Sequence, residues 1–473
     1  MKRYNPFLPL LLLAFTSCAD WLEVLPKSRV LADKHFKTEQ GYADQLTGVY
    51  TRMSSTALYG RELTFGLREA LSQNYDLNVS SRYAQAAQYD YEDADIKQII
   101  TNAWAESYTA IANLNLMLEY METVSPAIFT GKNYNVYKGE ALGLRAFLHF
   151  ELLRMFAPAP VSNPNAPAIP YVTEYATSVT PLSTVTGTLD LVIADLTAAS
   201  GLLESDELYT LSDYYTVQEA RVRRFNYYAA RATLARVYLW KGDMANARAC
   251  AEEIIESGRF PWAHYTAITA SNAVERDLMY KNEHIFRLNI LHLDDIVNPY
   301  FTASSGANKL SPSEVKMDNI YEVTSAALGA DYRYTYHYSY DGSDRYFSKF
   351  WQPEGGTYLN MMPLIRLSEM YYIAAEAWLH AGARDSAVVR LNTVRGQRNL
   401  ASFPLSETLS EEEIEHEIYK EYRKETLGEG QLFYYYKRRN YPVIPGSSKP
   451  GNNAAYVFPL PDNEIEFGNR KTL

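Results

Sequence analysis

A chain of 473 residues, 47% hydrophobic and 21% charged, is long enough to bury a large core. Its net charge of −11 argues against nucleic acid, whose phosphates need a basic stripe, and its two cysteines exclude a disulfide framework. Tyrosine is in excess: 40 side chains, each a flat ring with one hydroxyl, the combination favoured on wet binding surfaces.

Residues 1–17 read as an export signal. Lys2 and Arg3 give the positive start, and residues 7–15 an apolar core too short to span a bilayer. Small Thr16 and Ser17 precede Cys18, the pattern of a bacterial lipoprotein signal, in which Cys18 becomes the first residue and carries lipid. No later stretch reaches about 18 apolar residues, so the lipid is the expected anchor. Residues 18–473 then form one domain, opening with a polar tether over 18–35.

Helical periodicity begins at residues 36–53, with Thr38 as cap. Residues 61–91 are less regular and hold Tyr75, Tyr83, Tyr89 and Tyr91 among polar residues. Two long helices follow, over 96–121 and 134–156, the second stopped by Pro158 and Pro160. Residues 158–181 are a Pro-rich crossover, and 189–203 another helix.

Residues 226–258 are the element around which the chain is organised. Ala229, Ala232, Ala235 and Tyr238 mark one helix face, Gly242-Asp243 breaks the run, and Ala247, Cys250, Ala251 and Ile254 mark a second. Residues 366–398 repeat the pattern: with Gly382 laid on Gly242, Ala375 falls on Ala235 and Ala387 on Ala247. Matched helical hairpins of this kind suggest tetratricopeptide-like repeats, and since neighbouring repeats bury each other's apolar faces, further pairs are expected. Between the two hairpins, residues 260–363 lose helical periodicity, and an excursion of that length is expected to be functional. It contains Tyr332, Tyr334, Tyr336, Tyr338 and Tyr340 in strict alternation, which on a strand would share one face. Asp341-Gly342 suits a hairpin turn, with residues 343–351 returning. Ser410 with Glu413 forms a capping box ahead of a further helix, and residues 429–439 end in Lys437-Arg438-Arg439. That cluster could seat a phosphate; pairing with the nearby acidic helix is favoured.

Motifs for chemistry are lacking. Asp294-Asp295, the group Asp90, Glu92, Asp93 and Asp95, and Glu411 to Glu413 are adjacent carboxylates of the solvated kind, not two groups facing one bond. There is no G-x-S-x-G, and Cys250 belongs to an apolar helix face. No histidine pair has metal spacing, and no cofactor is expected; a structural calcium at residues 90–95 is the one ion site the carboxylates could offer.

The chain resembles the SusD/RagB group of outer-membrane lipoproteins. The resemblance is carried by Cys18 with residues 21–26, by residues 137–150 and 226–258, by 364–398, by 421–440, and by Pro459-Leu460-Pro461-Asp462-Asn463-Glu464-Ile465. Residues 422–427 depart from the family's tighter Arg-rich, acidic pattern. The resemblance implies a mainly α fold of about four tetratricopeptide-like helical hairpin pairs, carrying long irregular insertions at about 61–91 and 260–363 and a small β-hairpin. It implies a surface-exposed outer-membrane lipoprotein that binds oligosaccharide without cleaving it and passes it to a SusC-like TonB-dependent barrel. The RagB branch, which takes peptides, is the alternative; an enzyme and a protein-only scaffold rank below it.

Sugar faces are patches of C–H groups that aromatic rings cover, with polar side chains taking the hydroxyls at the edge. Expected platforms are therefore Tyr83, Tyr89 and Tyr91 from the early segment and Tyr300, Tyr336, Tyr338 and Trp351 from the insertion. Arg82, Asn298 and His337 are the expected edge partners. A rival assignment for the alternating run is a cross-strand aromatic ladder with no ligand.

Overall fold

The computed structural model describes residues 27–210, 219–323, 330–342 and 344–470; the signal and Cys18 lie outside them. Counting helices of five residues or more, the scaffold opens with α1 (Lys27–His35), α2 (Glu39–Met53), α3 (Ala94–Met121), α4 (Asn133–Phe156) and α5 (Val185–Leu203). The hairpin α6 (Tyr227–Lys241) and α7 (Met244–Glu256) follows. After the insertion come α11 (Leu367–His380), α12 (Arg384–Arg395), α13 (Glu411–Thr426), α14 (Leu432–Arg438) and α15 (Asp462–Phe467). The fold is mainly helical, as expected. The expected tether ends sooner than residue 35: α1 begins at Lys27, and Tyr120 donates to Asp33 across to α3.

Successive helices pack side by side, α2 on α3, α3 on α4, α4 on α5, α5 on α6 and α6 on α7. The order then skips the insertion, since α7 packs directly on α11, and resumes through α12 to α13. One hydrophobic cluster runs through the stack from Phe36 to Leu460. By length and hydropathy α5 could cross a bilayer. Its buried residues Leu189, Val192, Leu196, Ala199 and Leu203 form one stripe against α4 and α6, which is the pattern of a core helix.

The hairpin α6–α7 is built as its residues dictate. Asn226 accepts from the Ala229 amide as N-cap, and Gly242 closes α6 at φ 86° in the left-handed region. Asp243 then caps α7 through the Asn246 amide. Ala229, Ala232, Ala235 and Ala247 are fully buried, so small side chains do set the approach of the helices. Gly382, at φ 78°, plays the part of Gly242 in the second hairpin. Cys250 is core, and burial pushes its thiol up to about 11.

The insertion is tied at its base by β3 (His284–Asn289) running antiparallel to β6 (Met361–Arg366), with Asn289 opposite Met361. Within it lie α8 (Leu293–Val297), α9 (Glu314–Tyr321) and α10 (Tyr332–Tyr336). The hairpin β4 (Tyr338–Asp341) and β5 (Asp344–Phe347) pairs Tyr338 with Phe347 and Tyr340 with Arg345. A shorter pair, β1 (Pro167–Pro170) and β2 (Leu182–Thr184), brackets the crossover.

The alternating tyrosines depart from expectation. Residues 332–336 are helical, so the five rings do not share a face. The reason is Arg333. Asp331 caps the turn and binds the Arg333 guanidinium, which also reaches Glu421 at 2.8 Å and Glu425 at 3.0 Å, all fully buried. Glu425 further takes Arg366 and Arg398, and Glu421 takes Arg395 and Lys424. Lys424, Arg333 and Arg395, three buried cations, thus hold Glu421 well below the usual carboxylate range against the burial that would raise it. The cluster Lys437-Arg438-Arg439 is spent similarly: Lys437 donates to the Arg154 carbonyl, Arg438 grips Glu376 at 2.6 Å, and Arg439 pairs with Glu376 and with Glu415 on acidic α13.

Candidate functional site

The two irregular segments meet across one cleft of about 820 Å³. Residues 73–88 form one wall. Residues 306–316 form the other, with the hairpin residues Asp344 and Arg345 beside it. Asp76 stitches the walls together. Its amide donates to the Ser311 carbonyl at 3.0 Å, and its carboxylate accepts from the Ser313 amide at 2.7 Å and from Lys316 at 2.6 Å. Burial would raise the Asp76 pKa, but the Lys316 ammonium and the Ser313 donors outweigh it and hold the group below its ordinary value. Lys316 also donates to the Gln73 and Tyr75 carbonyls, and Ser311 accepts from the Phe347 amide, which locks the β-hairpin to the same wall.

The lining is polar. Gln85 and Gln88 are exposed, and Asn78 is occupied with capping Ser80. Lys309 lies over the Tyr346 ring at 5.3 Å. Amides, carbonyls and two cations can order a hydroxyl-bearing ligand, in a volume suited to a short oligomer.

None of the ten expected ligand residues lines this cleft. Tyr83 is fully buried and donates to Glu62 at 3.0 Å. Tyr338 packs on Tyr321 and Phe347, and Tyr300 on Phe65, where it accepts from Arg61. His337 is buried beside Tyr280, and burial holds it far below an ordinary histidine. These four offer a ligand no open face: each is a core side chain, because the segments fold back on the scaffold to bury their own rings. Asn298 is also structural, exchanging hydrogen bonds of 3.0 Å with the Gln352 backbone. Arg82 is exposed but turned to Glu62, at 3.4 Å, and to its neighbour Tyr83.

The remaining four lie elsewhere. Tyr89 and Tyr91 border a second, more apolar cleft of about 640 Å³ with Phe156 and Phe458. Their hydroxyls are engaged, Tyr89 on Leu71 and Tyr91 on Ala455, and burial pushes Tyr89 up to about 12. Tyr336 joins Tyr332 and Arg276 on a separate small cluster around Tyr280. Half-buried Trp351 sits by Pro353 and Tyr358. Of the carboxylates at residues 90–95, Asp93 serves as the α3 cap. Among the described residues the grouping whose ligand atoms converge is instead His292, Asp294 and Asp295, all exposed.

Residue choice missed Arg345, Lys309 and the glutamines. The expected turn at Asp341-Gly342 would set Arg345 opposite Tyr338; the strands instead pair Asp341 with Asp344, one position further on, which puts Arg345 opposite Tyr340. The glutamines carry no mark, being ordinary polar residues of a loop.

Residues 20–239 match a family profile described as starch-binding associating with outer membrane, and residues 286–463 match the SusD family profile. SusD-like protein P2 of Formosa agariphila is 24% identical over 525 aligned positions, covering 98% of this chain and 97% of that protein. SusD-like protein P38 of the same organism is 24% identical over 270 positions, covering 56% and 46%. A SusD superfamily protein from Bacteroides thetaiotaomicron superposes with a TM-score of 0.73 at 22% identity, over 91% of this chain and 98% of that one. A SusD-like carbohydrate binding protein from Bacteroides vulgatus gives a TM-score of 0.73 at 20% identity, over 91% and 96%.

Proposed function

The chain belongs to the SusD/RagB family, and from that premise we propose that it is a lipid-anchored outer-membrane protein that captures oligosaccharide and passes it to a SusC-like TonB-dependent barrel. The observation that carries this reading is the polar cleft of about 820 Å³ that both irregular segments enclose on the scaffold. Hydroxyl-rich ligands suit its amides and carbonyls, and a relative of the same fold is described as carbohydrate binding. Catalysis has no support in the cleft. Asp76 is tied to Lys316 and the Ser313 amide, and Glu314 and Asp344 are exposed to solvent and not enclosed as a pair facing one bond.

Purified protein should bind an oligosaccharide in calorimetry and release no new reducing ends. Binding confined to peptides would favour the RagB-like alternative, and released reducing ends would make it an enzyme. Anchoring is tested separately: Cys18→Ala should leave the protein in the soluble fraction, and unchanged membrane retention would refute a lipid at that residue.

A further inference from the structure

The geometry points to an anionic saccharide as the cleft's ligand, recognised by Arg345 with help from Lys309. This rests on the glycan reading above and narrows it to sugars bearing a carboxylate or a sulfate ester. The observation is a half-buried guanidinium with no carboxylate partner beside the cleft, in a fold whose buried arginines are ion-paired. Arg145 takes Asp195, Arg236 takes Glu369, and Arg333, Arg366 and Arg398 converge on Glu425. Arg345 has no carboxylate within ion-pair distance among the described residues. Its guanidinium carbon lies 3.8 Å from the Tyr334 ring centroid, 4.9 Å from Tyr338 and 5.7 Å from Tyr340. Nη2 donates to the Tyr334 carbonyl, Nε is buried with no acceptor, and the side chain as a whole is half-buried at the cleft.

Three rings therefore hold the charge in place without cancelling it, as cation–π contact does. Aromatic stacking also fixes the plane of the fork, the condition for directional binding of a carboxylate or sulfate. Lys309 is held in the same fashion on Tyr346, the neighbour of Arg345, on the same wall of the cleft. The acids of the cleft do not neutralise the pair. Asp76 is matched by Lys316, while Glu314 and Asp344 are exposed and solvated. A neutral sugar could accept hydrogen bonds from these groups but would leave their charge unused. An acidic peptide would use the charge, and is treated as an outcome of the test.

The mature chain is screened on an array of neutral, uronate-bearing and sulfated oligosaccharides with acidic peptides alongside, and the strongest hit is titrated by calorimetry. The expected hits are anionic. Arg345→Gln should weaken the strongest by about tenfold or more and Lys309→Gln by about threefold, with both variants melting as the parent does. Raising the salt should weaken the anionic hit and spare any neutral one, which keeps the test intact if Arg345→Gln fails to fold. The uronate and sulfate arms tell which anion is taken. Neutral hits only, or anionic hits indifferent to both substitutions and to salt, overturn the inference and leave the glycan reading standing. Acidic peptides without any saccharide overturn the glycan reading itself.

Discussion

The hairpins α6–α7 and β4–β5 are held by opposite means. In α6–α7, alanines let the helices touch, and each cap is made by a residue next to the helix it ends. The segment around β4–β5 hangs on charges far away in the chain: Arg333 meets Glu421 and Glu425, 88 and 92 residues on. One region is stabilised by many small apolar contacts. The other depends on a few ion pairs, each worth little net but costly to break, because a buried charge left alone has no water to turn to.

The largest effect should come from the charges. Glu425→Gln strips Arg333, Arg366 and Arg398 of their shared anion and should destabilise the protein by about 3–5 kcal/mol in urea unfolding. A loss under 1 kcal/mol would mean the ion cluster is not what holds the insertion. Leu234→Ala, in the packed face of α6, should cost about 2–5 kcal/mol through lost burial and a residual cavity, in the same assay. Its effect should be insensitive to salt and pH, unlike that of Glu425→Gln.

Acidity separates the regions further. Burial pushes Asp277, in the insertion, up to about 7 against the pull of the Lys281 amide. The folded protein thus keeps a proton that the unfolded chain loses above about pH 4. Stability from this group is complete below that pH and is lost as pH rises through about 7, on the order of 4 kcal/mol. Asp277→Asn should flatten that decline in unfolding curves taken across pH 4–7; an unchanged slope would place the titration elsewhere. Glu421 and Glu425, held low by their arginines, work in the reverse sense and are lost only in acid. The smallest effect tests the repeat: Gly242→Ala and Gly382→Ala, both left-handed with open space around the added methyl, should each cost about 1 kcal/mol. Unequal costs by thermal unfolding would break the equivalence of the two hairpins.

The same contrast explains what could be read in advance. Gly242, Asp243 and Asn226 announce α6–α7 because everything that shapes it is nearby in sequence. Thr38, Ser410 and Glu413 announce their helices for the same reason. The tyrosine run shows period two, yet residues 332–336 coil, because burying Arg333 against α13 outweighs the strand pattern. Glu421 precedes the stretch that departs from the family pattern and Glu425 lies within it, and no local rule reveals that they gather five basic side chains between them. For the cleft, the two segments were legible as long polar excursions, but not which of their side chains stay outside. Rings were expected there; Tyr83, Tyr300 and Tyr338 went into the core, and amides and cations line the surface instead.

Hydrogen–deuterium exchange with and without the tightest-binding oligosaccharide tests the cleft most directly. Slowed exchange at residues 73–88 and 306–316 together, with the helical stack unchanged, is the predicted result. Protection around Tyr91 and Phe458 instead, with both cleft walls unaffected, would contradict it.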